Sequence, residues 1–172
     1  MELDLKLASK EINQLLYSSG RTLSTAESCT AGRIATIITA APGSSNYYRG
    51  GLCCYAEDVK TQLLGVDADV MAEQTPVCEE VAKQMVTGAN KLFKTDYAVA
   101  ITGYAGPGGS PNGNVLVGTI WIAVGSKERL VTQVLSEDNG RDQNLASATV
   151  CAVRMLRDFL REDLANDSSE EA

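Results

Sequence analysis

The sequence predicts an α/β domain, a three-layer α/β/α sandwich around a mixed, mostly parallel sheet. Two patterns point there. Apolar residues at helical spacing alternate along the chain with short apolar runs of strand type, the order expected of a parallel sheet wrapped by helices. The runs Val115 to Val124 and Leu130 to Leu135 flank Gly125-Ser-Lys-Glu, which reads as a hairpin and adds at least one antiparallel strand. The chain has 172 residues, 44% of them hydrophobic, which suits one domain with a sizeable core. That domain is expected to occupy 1–164, with a disordered acidic tail over 165–172.

Each element follows from a local signal. Leu5, Ile12, Leu15 and Leu16 recur near helical spacing, so 4–18 is expected to be an amphipathic helix, ended by Ser19-Gly20. Residues 21–26 read as a short strand, Glu27 to Thr30 as a turn, and Thr30 to Thr39 as a second helix. Ala41-Pro-Gly-Ser-Ser45 is a loop. Gly51 to Tyr55 reads as a strand, and Val59, Leu63 and Leu64 as a short helix stopped by Gly65. Pro76 to Cys78 lead into a long helix with Val81, Met85, Ala89 and Leu92 on one face. Tyr97 to Ile101 is a strand of the buried type, and Gly103 to Gly113 a glycine-rich loop. A last helix is expected from near Gly140 to about Leu160.

Composition removes several functional classes. The net charge of −7 argues against binding nucleic acid through phosphate attraction. No apolar run approaches the roughly 20 residues that span a bilayer, and the amino terminus lacks a signal-peptide pattern, so a cytoplasmic protein is expected. The five cysteines, 29, 53, 54, 78 and 151, form no CxxC pair and read as reduced thiols. There are no histidines. Ser-His-Asp triads, Cys-His pairs and HExxH sites are therefore excluded, and acid–base chemistry falls to Asp, Glu, Lys, Tyr or Cys. No loop gathers carboxylates for a metal, and neither metal nor cofactor is expected.

Four segments carry candidate chemistry. Ser28 lies between a strand and a helix, where backbone N–H groups stay unpaired; it suits a nucleophile beside an oxyanion site. The same pattern fits a helix cap made by Ser28 or Thr30. Lys60 in "YAEDVK" suits a base for that serine if burial or a nearby cation lowers its pKa; otherwise it is a surface lysine. "ITGYAGPGGSPNG", 101–113, holds five glycines and two prolines. It matches neither GxxxxGK[ST] nor GxGxxG, and reads as a ligand-approaching loop or a long turn. Arg141 opens the last helix, where it suits a phosphate or carboxylate, or an ion pair with Asp142.

In order, "TAESCTAG", "PGSS", Y-x4-K, "LLGV", "AITGYAGPGG" and "VGTIWIA" resemble the carboxy-terminal domain family of the competence-damage-inducible protein CinA, over about residues 8–160. The resemblance implies a three-layer α/β/α fold and, from stand-alone members, hydrolysis of nicotinamide mononucleotide to nicotinic acid mononucleotide and ammonia, without a metal. It implies catalysis by Ser28, Lys60 and Tyr55. A substrate surface is expected from Glu27, Cys29 and Thr30 of the turn, Gly43, Ser44 and Ser45 of PGSS, Thr102, Gly103 and Gly106 of the glycine loop, and Arg141. Glu27 is expected to orient its turn, and the phosphate to sit near Ser44, Ser45 or Arg141. The sequence departs from the family in three places. Ala56-Glu57 replaces Ser-Asn after the tyrosine, Val115-Leu116 replaces Lys-Pro, and Leu145 stands where a second arginine is usual. A small-molecule substrate is the expected partner, with no nucleic acid and no membrane, and a homo-oligomer is expected.

Overall fold

The computed structural model describes residues 2–170, and the side chains of 3–167. Six helices, one 3-10 turn and five strands follow in order: α1 (Glu2–Ser19), β1 (Leu23–Glu27), α2 (Arg33–Thr39), the turn Ser44–Asn46, β2 (Tyr48–Cys53), α3 (Glu57–Leu64), α4 (Ala68–Gln74), α5 (Glu79–Phe93), β3 (Tyr97–Gly103), β4 (Ile120–Gly125), β5 (Leu130–Leu135) and α6 (Arg141–Glu170). The sheet order is β2-β1-β3-β4-β5. β1 pairs in parallel with β2 and β3, while β4 runs against both β3 and β5. Four strands therefore share a direction and only β4 opposes them, which is the mixed, mostly parallel sandwich expected.

Alternation along β3 shows how the layers form. Tyr97, Val99 and Ile101 face a core shared with α1, α2 and α6. Ala98 and Ala100 face a second core under α5, with Val81, Met85 and Val86. Bulky residues thus fill the first face, and alanines let α5 approach closely on the second. Gly88 marks another close approach, because a Cβ there would lie 2.0 Å from the Leu64 carbonyl oxygen at the end of α3. Backbone cannot yield as a side-chain tip can. Gly88→Ala is therefore expected to cost about 3 kcal/mol, read as a lower urea midpoint at unchanged m-value. A midpoint equal to that of the unsubstituted protein would remove this contact from the list of what seats α3.

α6 is longer than its apolar pattern suggests. Arg154 pairs with Asp4 and Arg161 with Glu11. Both pairs join residues 150 apart, so α1 and α6 run parallel. Exposed pairs of this kind contribute little energy but fix register. The helix continues beyond Leu160 as far as Glu170, so residues 165–170 of the expected tail extend it, and Arg21 holds Asp167 at 2.8 Å. Residues 171 and 172 lie outside the described residues. β4 begins at Ile120, not Val115, because 115–119 turn back under the glycine loop through Ser110 N–H to Val115 O and Gly118 N–H to Tyr104 O. β2 spans 48–53, earlier than the expected 51–55, and leaves Cys54 and Tyr55 beyond the strand end. Among the described residues no helix is long and apolar enough to cross a membrane. All five cysteines are free thiols.

Candidate active site

The carboxyl ends of β1, β2 and β3 meet at one edge of the sheet, where ligands of such folds gather. β1 ends at Glu27, and the chain then turns through Ser28, Cys29 and Thr30 before α2. Ala31 (φ 48°) and Gly32 (φ 97°) both adopt the left-handed region. For Ala31 that conformation costs about 1–2 kcal/mol, so something must hold the turn. Glu27 does. Its side chain is 1% exposed and collects four donors: Thr30 Oγ1 at 2.6 Å, Gly32 N–H and Ile34 N–H at 3.1 Å, and Ala35 N–H at 2.8 Å. The α2 amino terminus is thus capped by Glu27 and not by Ser28 or Thr30, which frees the serine hydroxyl.

That hydroxyl meets Lys60. Lys60 Nζ donates to Ser28 Oγ at 3.2 Å, to Cys54 O at 2.8 Å and to Tyr55 O at 3.3 Å. Ser28 is 7% exposed and Lys60 only 2%. Burial pushes the lysine pKa below its ordinary 10.5, against Cys54, Glu57 and Cys29, whose anionic forms favour the ammonium. Three acceptors saturate an ammonium. A neutral amine instead satisfies the two carbonyls with its two N–H groups and aims its lone pair at Ser28 Oγ. Among the described residues no carboxylate touches Nζ, so none of them fixes the charged form by contact.

The turn also supplies donors. Ser28 N–H is spent on Ile101 O at 3.0 Å, tying the turn to β3. The N–H groups of Cys29 and Thr30 instead face the Cys29 sulfur. Burial pushes that thiol up to about 11, so it stays protonated at neutral pH beside these two donors.

A pocket of about 220 Å³ opens above the pair. Ser28, Cys29 and Lys60 line it with Tyr55, Thr102, Gly103, Gly106 and Arg141. Glu57, Tyr104, Pro76 and Val77 line it as well. The volume is below the roughly 300 Å³ at the low end of drug-sized ligand pockets, so a larger substrate must project over the rim. Tyr55 forms that rim. It is 61% exposed, and its hydroxyl lies 3.4 Å from Arg141 Nη2, while only its carbonyl reaches Lys60. Arg141 Nη1 also donates to Gly106 O at 2.7 Å. Thr102 Oγ1 is committed to Pro76 O at 2.8 Å, so it braces the pocket wall. A Cβ on Gly103 would lie 2.5 Å from Ile120 Cγ1, which explains glycine there.

Gly43, Ser44 and Ser45 are placed elsewhere. They precede β2, at the amino-terminal edge of the parallel strands, whereas Ser28 follows β1. Ser44 Oγ reaches only Thr39 O, and none of the three lines the pocket. The fold therefore does not bring these three expected substrate-binding residues to the pocket at Ser28. Of the groups missed, Tyr104 sat inside the glycine motif in plain view. Pro76 and Val77 come from the α4–α5 connection and carried no signal of their own. Asn144 was also missed. It is 4% exposed, bonds Ala105 O and Asp138, and so locks the glycine loop to the start of α6.

Fold and site together define a class: a three-layer α/β domain that carries a serine–lysine pair at the carboxyl edge of a mixed sheet. The CinA C-terminal domain matches residues 5–160, and the chain belongs to that family. A CinA-like protein of Cytophaga hutchinsonii is 36% identical over 151 residues, 88% of this chain and 36% of that one. Another, of Mycolicibacterium gilvum, is 43% identical over 140 residues, 81% of this chain and 33% of its own. The chain thus spans about a third of the length of these curated relatives. Among solved structures, a CinA superfamily protein of Klebsiella pneumoniae aligns with a TM-score of 0.86 and 30% identity, over 92% of this chain and 98% of that one. One from Escherichia coli gives 0.86 and 31%, over 91% and 92%.

Proposed function

We propose that the protein is an amidohydrolase of the nicotinamide-nucleotide type, converting nicotinamide mononucleotide and water to nicotinic acid mononucleotide and ammonia. One observation carries this reading: buried Lys60 Nζ stands 3.2 Å from Ser28 Oγ with no carboxylate in contact. Neutral Lys60 takes the Ser28 proton as Oγ adds to the amide carbon. The N–H groups of Cys29 and Thr30, which follow Ser28 in the same turn, receive the oxyanion. Lys60 returns the proton to the nitrogen, the C–N bond breaks and ammonia departs. Water then attacks the Ser28 ester, giving its proton to Lys60, and the free acid leaves with Ser28 Oγ reprotonated. No metal or cofactor enters these steps.

The test is ammonia release from nicotinamide mononucleotide. Ser28→Ala is expected to lose about 10³-fold or more of the activity. No release by the unsubstituted protein at millimolar substrate, with the fold intact by circular dichroism, would sink this activity. A second reading, a non-catalytic domain that binds a nucleotide, a metabolite or a protein partner, draws on Glu57. That residue lines the pocket, and its charge favours the charged, non-basic form of Lys60.

A further inference from the structure

Of the three departures from the family's motifs, only Glu57 reaches the pocket. Leu116 stands 72% exposed beside the glycine loop. Leu145 is 4% exposed and packs in the core under α6, so that position supplies apolar contact here. Glu57 opens α3 and lines the pocket with Tyr55, Lys60 and Arg141. Among the described residues its carbonyl accepts from Thr61 Oγ1, while its carboxylate has no hydrogen-bond partner and pairs with no cation.

The charges around the pocket are therefore few. Lys60 lies beneath Ser28 with its donors already placed on three oxygens. With Lys60 neutral as the proposed base, Arg141 is the cation among the described residues that line the pocket, and it directs one nitrogen to Gly106 O and another toward Tyr55. Glu57 opposes it with equal charge. A phosphate monoester brings a charge of about −1.5 to −2 at neutral pH. One partly engaged guanidinium beside an unpaired carboxylate does not balance that charge. A pyridinium carboxamide carries a positive ring next to the very amide that Ser28 would attack, and Glu57 complements a cation held there.

We propose that Glu57 sets substrate charge: the site selects phosphate-free, cationic pyridinium carboxamides, of which nicotinamide riboside is the simplest probe, over their phosphorylated counterparts. This rests on the amidohydrolase reading for its chemistry, which is the same addition of water and loss of ammonia. It makes Glu57 a specificity residue of the pocket rim as well as a favourable first-turn acid of α3.

The test compares kcat/KM for nicotinamide riboside and nicotinamide mononucleotide in the unsubstituted protein and in Glu57→Gln. Binding of the same two compounds is measured calorimetrically on Ser28→Ala and on Ser28→Ala with Glu57→Gln. The riboside is expected to be preferred about tenfold or more, and Glu57→Gln to erase most of that ratio. Raising salt to about 0.5 M should narrow the ratio in the unsubstituted protein. A purely structural role in α3 would weaken both compounds alike and leave the ratio fixed. Preference for the mononucleotide, or a ratio unmoved by Glu57→Gln, overturns the inference. If neither compound is turned over but Ser28→Ala still prefers the riboside, the amidohydrolase reading fails and the charge selection stands. If neither compound binds at millimolar concentration, both fail.

Discussion

Lys60→Met is expected to lower amide hydrolysis by about 10²–10⁴-fold, the usual contribution of a positioned general base. Methionine keeps most of the apolar stem within the buried site but has no lone pair comparable with that of an amine. The effect should show a pH signature. In the proposed mechanism the active form is the neutral amine, so the rate is expected to rise with pH through the Lys60 pKa, which burial holds below 10.5 in the folded protein. Glu57 favours the ammonium, so Glu57→Gln should move this limb to lower pH. Stability is linked to the same proton. Between the lowered folded pKa and 10.5 the unfolded chain binds more protons at this site, so stability due to Lys60 rises with pH across that window. Below the window both states are protonated and the buried ammonium weighs against the fold. The difference in melting temperature between the unsubstituted protein and Lys60→Met should therefore move in favour of the lysine as pH increases. Retained activity in Lys60→Met, or a rate independent of pH from about 6 to 10, would remove Lys60 as the base.

How much of this was legible beforehand varied with the kind of signal. Layer order and sheet type followed from the alternation of periodicities, because two-sided burial of β3 demands apolar residues at every position. The strand ends did not follow. Thr22 and Asp96 bond each other's backbone just before β1 and β3 begin, and that pairing is a tertiary event. α4 was absent from the sequence reading since Ala68–Gln74 spans only seven residues, and its Asp67 cap becomes evident only with Asp69 N–H on it at 2.8 Å. In the site, Ser28 and Lys60 could be paired by chemical type, but their contact and the burial of Lys60 could not be read, since they lie 32 positions apart and the parallel pairing of β1 with β2 aligns their ends. The PGSS segment is the converse case. Two serines in a glycine loop look ligand-binding, yet the loop precedes its strand and stands at the edge of the sheet away from Ser28.

Glu27 carries the second large effect, and it belongs to stability before chemistry. The sequence shows an acid before a small polar run; only the fold reveals that its carboxylate replaces the missing partners of the α2 amino terminus. Oε2 accepts from Thr30, Gly32 and Ile34, and Oε1 from Ala35. Glu27→Gln keeps the shape but turns one oxygen into a donor. An amide oxygen can replace Oε2, yet its NH₂ then confronts the Ala35 N–H, leaving two buried donors face to face. The cost is expected to be about 2–3 kcal/mol, and about 4 kcal/mol for Glu27→Ala, which orphans all four donors and opens a cavity. Urea unfolding measures both. Because the same bonds hold Ala31 in its left-handed conformation, loosening them also releases Ser28 from the Lys60 amine. Activity should then fall further than the unfolded fraction alone explains. A Glu27→Gln protein within about 0.5 kcal/mol of the unsubstituted chain would mean that the turn is held by the Ser28 N–H bond to Ile101 and by packing, with the carboxylate incidental. The four-donor geometry argues the opposite: the proposed nucleophile sits on a turn with Ala31 in the left-handed region, and the residue immediately before the serine holds that turn rigid.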